Sequence, residues 1–431
     1  MNQPAAQDVS RPRLSRDDRA RIRRRRNSAQ TDAGIRLTAT GTELRAVEPA
    51  DVPDLPESAR AATAHRRAHA KADNTRRSYA SAWRRFEKWC DTMGVPALPA
   101  HPEVVAAYLA IADDVRTEDG DHAYAMATLE LWNAAIGHAH SVAGFAHPGQ
   151  TVMVTEVLSG SRRLRAEEGE ETGQAPPLLL TDLRRITAAI AEHASAAGDW
   201  KAEVYARRDI ALLVLGYAGG FRRSEVTGLW VADVTKANDP EDNWLQVRLR
   251  STKTSPTAPA SVVLARGTSS PLNCPWCAFL RWLTVLAAYD SAAAAAAPDQ
   301  REDYGAVALR RRLGRQGPLI EHICRQPWPD LKARRVPLFR PLDHGLPRDL
   351  TALSGRSLSD IITKRARQAG YPEPDAARFS GHSLRAGLDT DLLERGASPY
   401  DVGKHTRQTE RTVRRYDRND RWTNNPTAGL L

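Results

Sequence analysis

A chain of 431 residues with 41% hydrophobic side chains is long enough for two domains and too apolar to be disordered throughout. The net charge of +10 comes from arginine, because eight of the 62 basic residues are lysines and 54 are arginines. Planar guanidinium forks suit phosphate, which raises nucleic acid as a partner, although a GC-rich genome favours the same composition.

The N-terminus is polar and then basic, without the apolar stretch of a signal peptide. The apolar stretch Ile210 to Leu215, with "GYAGGF" after it, is far shorter than the roughly 20 residues that span a bilayer. Cys90, Cys274, Cys277 and Cys324 are too few and too scattered for a disulfide scaffold. These features predict a soluble, cytoplasmic, nucleoid-associated protein with no membrane partner.

In chain order, residues 1–55 read as a flexible basic arm, with an arginine block at Arg23–Arg26 and no apolar period behind it. Residues 56–165 read as a helical domain. In "NTRRSYASAWRRFEKWC", Tyr79, Trp83, Phe86 and Trp89 or Cys90 form a helical apolar stripe, with Asn74 or Thr75 as cap. These aromatics are expected in the core. The basic side chains of this helix, Arg76, Arg77, Arg84, Arg85 and Lys88, are the candidate DNA contacts, with Arg77, Arg84 and Lys88 sharing a face. "HPEVVAAYLAIADDV" and "MATLELWNAAIGHAHSVAG" supply further helices.

Residues 166–177, acidic and interrupted by Gly and a Pro pair, read as a linker, and 178–431 as the second domain. Thr181 is a plausible cap for its first helix. "RRDIALLVLGYAGG" reads as a buried helix closed by Gly219–Gly220. Leu245, Val247, Leu249, Val262 and Val263 alternate around a Ser/Thr/Pro turn carrying Lys253, the pattern of a hairpin or small sheet. The alanine-rich stretch 286–330 reads as an insertion. A helix with the stripe Leu358, Ile361, Ile362, Arg365 and Ala369 follows.

Near the C-terminus His382 and Arg385 form H-x-x-R. With 12 histidines and arginine at about one residue in eight, chance alone supplies such pairs, and a second stands at His322 and Arg325. The setting says more than the tetrapeptide. His382 and Arg385 fall in the first turn of a helix, where backbone N–H groups and the dipole favour an anion. Tyr416, a nucleophile-bearing side chain, follows about 30 residues later. Arg222 opens another helix after the two glycines, with Glu225 one turn on to orient it.

The order of four boxes resembles the tyrosine recombinase (site-specific integrase) family. They are "YAGGFRRSEVTGLWVADV", the "STKT" turn, "FSGHSLRAGLDTDLLERGAS" and "TVRRYDR", and the likeness spans about 60–285 and 335–431. The resemblance implies a mainly α, two-domain DNA clamp: a helical core-binding domain and a mixed α/β catalytic domain with a small sheet. It also implies DNA strand exchange through a 3′-phosphotyrosyl bond, and a homo-oligomer, expected to be a tetramer, on paired double-stranded sites. Arg222 and Arg385 would clamp the scissile phosphate, Lys253 would protonate the leaving 5′ oxygen, His382 would assist proton transfer and Tyr416 would attack. Glu225 would support the first arginine. The ester conserves the energy of the broken bond, so joining needs neither ATP nor a metal, and no cofactor is expected.

One position departs from the family pattern. Nine residues before the tyrosine, where a histidine or tryptophan is usual, stands Arg407, while His405 lies eleven before. Either a local loop change lets His405 reach the phosphate, or Arg407 substitutes, or the slot is weakened. Two rival functions remain open: a catalytically silent DNA-binding relative, and a type IB topoisomerase-like or telomere-resolving enzyme. Cys274 and Cys277 form C-x-x-C, which His322 and Cys324 could complete as a zinc set, but the 44 intervening residues carry no motif spacing and no metal is expected.

Overall fold

The computed structural model describes residues 56–68, 73–170, 175–239, 241, 243–250, 259–315, 317–331, 334–348 and 350–417. The basic arm, the Lys253 turn and the C-terminal tail lie outside the described residues. Contacts divide the chain into two compact units, 1–172 and 173–431.

The described part of the first unit is helical: α1 (Glu57–Ala68), α2 (Asp73–Met93), α3 (Pro102–Asp113), α4 (Met126–Val142) and α5 (Val152–Glu167). Helix α2 begins at Asp73, so Asn74 and Thr75 lie inside it rather than capping it. Its stripe packs as expected, with Ala82, Phe86 and Cys90 buried and Tyr79, Trp83 and Trp89 against them. Phe86 meets the Tyr108 ring edge-on at 5.1 Å, and Tyr108 contacts Trp132 at 5.7 Å. These rings are core. Helix α5 was not foreseen, and it runs to Glu167, into the stretch read as linker. Arg165 near its end is buried and grips Asp113 with its Nε at 2.8 Å, which holds α5 against α3.

The second unit comprises α6 (Leu180–Ala197), α7 (Trp200–Ala218), α8 (Arg223–Thr227), α9 (Pro275–Ala295), α10 (Arg301–Leu313), α11 (Gly355–Gln368), α12 (Glu373–Arg378), α13 (Gly381–Glu394), α14 (Pro399–Thr406) and α15 (Glu410–Val413). A three-stranded antiparallel sheet accompanies them, in the order β1 (Val234–Lys236), β2 (Trp244–Leu249), β3 (Ala260–Ala265). Helix α6 starts at Leu180, and Asp182 accepts from the Leu179 N–H, so Asp182 and not Thr181 closes its N-terminus. In the hairpin, Leu245 faces Leu264 and Val247 faces Val262, which puts Leu264 inward and leaves Val263 46% exposed. Val263 therefore belongs to the outer face, opposite to the reading from sequence.

Helix α7 is buried along most of its length, as its apolar run requires. Arg365, read as part of an apolar stripe, is buried but answered: its Nε donates to Asp209 at 2.7 Å. The stretch 286–330 packs into this unit's core through Leu286, Tyr289, Leu309 and Leu313. Residues 336–340 are fixed to α9, where Trp282 Nε1 donates to the Leu338 carbonyl and Arg340 forms two bonds with Asp290, at 2.8 and 2.6 Å.

The chain entering α6 crosses α13 where Gly387 leaves room. The Leu178 N–H donates to the Ser383 carbonyl at 2.9 Å, and a Cβ at 387 would lie 1.7 Å from the Leu178 carbonyl oxygen. Backbone cannot move aside as a side-chain tip can. Gly387→Ala is expected to destabilise the unit by about 3 kcal/mol, read by urea unfolding. A loss under about 0.5 kcal/mol would show that the crossing shifts freely.

Candidate active site

Four segments meet around Glu225. The Gly219–Gly220 turn ends α7, with Gly220 at φ +51°, and delivers Arg222 to the N-terminus of α8. Glu225 folds back to accept from the Arg222 N–H at 2.9 Å and from its Nη1 at 2.7 Å. Arg407 reaches the same carboxylate at 3.1 Å, and Arg385 stands 4.0 Å from it. Three guanidinium groups thus share one buried carboxylate and keep an excess of two positive charges.

Arg385 projects from the first turns of α13 and is 1% exposed. Its Nη1 donates to the Gly220 carbonyl at 2.8 Å, and its Nη2 donates to the Thr406 carbonyl. Burial, with Arg222 and Arg407 nearby, draws its pKa down to about 10, so it remains charged at neutral pH. Arg407 caps α14 in the left-handed region, φ 59° and ψ 48°. That conformation turns its side chain onto the Gly219 and Gly220 carbonyls and onto Glu225.

His405 takes another direction, its Nε2 donating to the Ala218 carbonyl at 2.9 Å. Of the two residues that could fill the slot before the tyrosine, Arg407 joins the cation cluster. His405 ties α14 to the end of α7.

Tyr416 ends the short 3₁₀ turn after α15, buried among Ala386, Leu393, Val402 and Val413. Its hydroxyl stands 2.9 Å from His382 Nε2. Ser380 caps α13 and holds His382 at its start, with the imidazole partly buried beside Tyr416. Burial of its ring, together with Arg385 and Arg222, lowers the His382 pKa, so the ring is neutral at pH 7. Burial and the nearby Asp389 raise the Tyr416 pKa, with Arg385 and Arg415 opposing. The pair is therefore a neutral base beside a neutral hydroxyl, which is the protonation state that deprotonative attack requires.

Sequence reading missed Asp389, which lies one turn after Arg385 and is fully buried. Gln408 Nε2 donates to its Oδ2 at 2.5 Å. Burial, offset in part by Gln408, Arg385, Thr406 and Arg407, raises its pKa to about 6. The folded state therefore holds this proton more tightly than the unfolded chain. The stability it contributes is complete below about pH 4 and lost as pH rises through about 6. Relative to wild type, Asp389→Asn should gain up to about 3 kcal/mol between pH 4 and 7, followed by urea unfolding at each pH. A constant difference across that range would mean that Asp389 titrates normally.

Lys253 lies outside the described residues, within the turn between β2 and β3. In the first unit Arg76, Arg77, Arg84 and Lys88 are exposed along α2. Arg85, also exposed, stacks 4.6 Å over Tyr124 and 4.7 Å over Trp132.

No family model matches the chain. It is 28% identical over 352 residues to the integrase/recombinase xerD homolog of Selenomonas ruminantium, covering 80% of this chain and 82% of the relative. That relative's description agrees with the tyrosine recombinase resemblance read from the sequence. Among solved structures, the Tn1549 transposon integrase in complex with transposon right end DNA aligns at 13% identity and TM-score 0.45, covering 86% of this chain and 96% of that one. A lambda integrase dimer bound to a core site aligns at 14% identity and TM-score 0.36, covering 80% and 79%. Among the described residues of this recombinase relative, no helix is long and apolar enough to cross a membrane.

Proposed function

We propose that the protein is a site-specific DNA recombinase, or integrase, that cuts and rejoins double-stranded DNA with Tyr416 as nucleophile. The observation that carries this is the Tyr416 hydroxyl 2.9 Å from a neutral His382, beside three guanidinium groups organised by Glu225. A phosphodiester repels nucleophiles, and the positive excess around Arg222, Arg385 and Arg407 offsets charge as it builds on the non-bridging oxygens.

Tyr416 passes its proton to His382 and its oxygen bonds phosphorus. The phosphorus–5′-oxygen bond breaks, and the leaving oxygen takes a proton from Lys253. A second 5′-hydroxyl reverses the sequence and seals the strand. Arg407 serves as the third phosphate cation in place of the usual histidine or tryptophan, and Glu225 and Asp389 position the arginines. Arg77, Arg84 and Lys88 contact DNA phosphates from the helical unit. The protein acts in the cytoplasm, at the nucleoid.

Assembly into a tetramer on paired sites accompanies this reading. A groove of about 510 Å3 between α7, β3, α13 and α14, lined by Leu180, Val214, Trp244, Val263, Leu388 and Val402, is a seat for a neighbour's C-terminal segment. Deleting residues 419–431 should weaken assembly on paired sites more than binding to one site, by gel shift with one- and two-site DNA. Equal loss of both argues against it.

The function is tested by denaturing capture of protein-linked DNA from cells that make the protein, followed by sequencing of the junctions. Recurrent 3′-linked ends that vanish in Tyr416→Phe, with recombinant products on a two-site substrate, support the proposal. Relaxation or hairpin products without exchange would favour a topoisomerase-like or telomere-resolving enzyme, and site-specific binding with no covalent DNA would favour a silent binder.

A further inference from the structure

We propose that Cys274, Cys277, His322 and Cys324 bind one structural zinc ion in the second unit. Chain spacing does not link these residues, but the fold does. Cys274 precedes α9, Cys277 lies in its first turn, and the 318–324 segment returns after α10 to place His322 and Cys324 against them. One ligand atom from each residue falls in a group whose members all lie within 4.8 Å of one another. His322 Nδ1 is 3.4 Å from the Cys277 sulfur and 3.7 Å from the Cys324 sulfur. Tetrahedral zinc, with Zn–S about 2.3 Å and Zn–N about 2.0 Å, has ligand–ligand edges of about 3.5–3.8 Å. Contraction by about 1 Å would close the site.

The surroundings are built for thiolates. The Ile323 N–H donates to the Cys277 sulfur at 3.3 Å, and the amides of Cys277, Gly267 and Trp276 donate to the Cys274 sulfur. Three thiolates on Zn²⁺ leave one negative charge, and the buried Arg281 guanidinium faces the Cys277 and Cys274 sulfurs. Arg281 also donates to the Pro318 carbonyl at 3.0 Å and the Glu321 carbonyl at 2.5 Å, holding the returning segment in register. All three cysteines are buried and unpaired by disulfides.

Four protein ligands leave no open coordination position, so the ion is structural rather than catalytic. It fastens α9 to the 318–324 segment and to Arg266–Gly267 at the end of β3, the strand that leads out of the Lys253 turn. This replaces the sequence reading of no metal, which rested on the 44-residue gap and on the likeness of "CPWCAFLRWL" to a family helix start in which the first cysteine has no metal role.

The test uses the full chain, purified under reducing conditions without chelator, with metal measured by inductively coupled plasma mass spectrometry. About one zinc per chain is expected, released when the thiols are blocked, and replacement by Co²⁺ should give thiolate charge-transfer and tetrahedral d–d bands. Cys324→Ser should lower zinc affinity at least about tenfold. If that variant fails to fold, the wild-type metal count and the cobalt spectrum still decide. Folded, reduced wild type that takes up under about a tenth of an equivalent after zinc dialysis overturns the proposal. So does a Cys274–Cys277 disulfide in the protein as purified, or zinc retained at wild-type affinity by Cys324→Ser.

Discussion

Tyr416→Phe is expected to abolish covalent capture of DNA while leaving affinity for uncut DNA within about twofold. The substitution removes one oxygen and keeps the ring in its contacts with Ala386, Leu393, Val402 and Val413. Among the described residues the lost hydroxyl is paired with the partly buried His382, which water can reach in its place, so the folding change should stay within about 1 kcal/mol. Removing a nucleophile typically costs far more than removing a helper, and the cleavage rate should drop by at least about 10⁴-fold. A nicked substrate that traps the covalent state measures this directly. Persistence of the adduct in the phenylalanine variant would assign attack to another side chain.

Glu225→Ala should produce the largest loss of stability. Its carboxylate is 4% exposed and contacts Arg222, Arg407 and, at 4.0 Å, Arg385. Without it the three cations repel one another in a partly desolvated space, and breaking a buried pair by removing one partner costs about 3–5 kcal/mol. Urea unfolding reads the loss. Inorganic phosphate should stabilise this variant more than wild type, because an anion can settle among the unpaired guanidinium groups. A loss below about 1 kcal/mol, without that phosphate effect, would mean the arginines are balanced elsewhere.

Much of this site could be read from order along the chain. Arg222, His382, Arg385 and Tyr416 each sit in a box with its own local grammar: a glycine pair, a serine-capped helix start, a basic C-terminal turn. The helices were legible where an apolar stripe repeated, as in α2, and missed where it did not, as in α5, whose buried positions include the polar Ser161 and Arg165. Asp389 was invisible because an aspartate in "LDTDLL" reads as a solvated position. Only the three-dimensional neighbours Arg385 and Gln408 explain its burial. The choice between His405 and Arg407 turned on a left-handed backbone at one residue, which no spacing rule announces. The cysteine–histidine cluster was hidden by the intervening α10, and Arg365 looked apolar because its partner Asp209 lies 156 positions away.

Arg385 grips a carbonyl 165 positions earlier in the chain, and Arg407 reaches one 188 positions earlier. Contacts so far apart in sequence form only after long stretches of chain have been brought together, which places this cluster late in folding. On the proposed mechanism, a half-folded or truncated molecule presents the phenol without the cations that would activate phosphorus, or the reverse. Scission and ligation draw on the same set of groups, so a folding intermediate gains neither before it gains both. By the same reasoning, no folding intermediate would open a strand that it could not reseal.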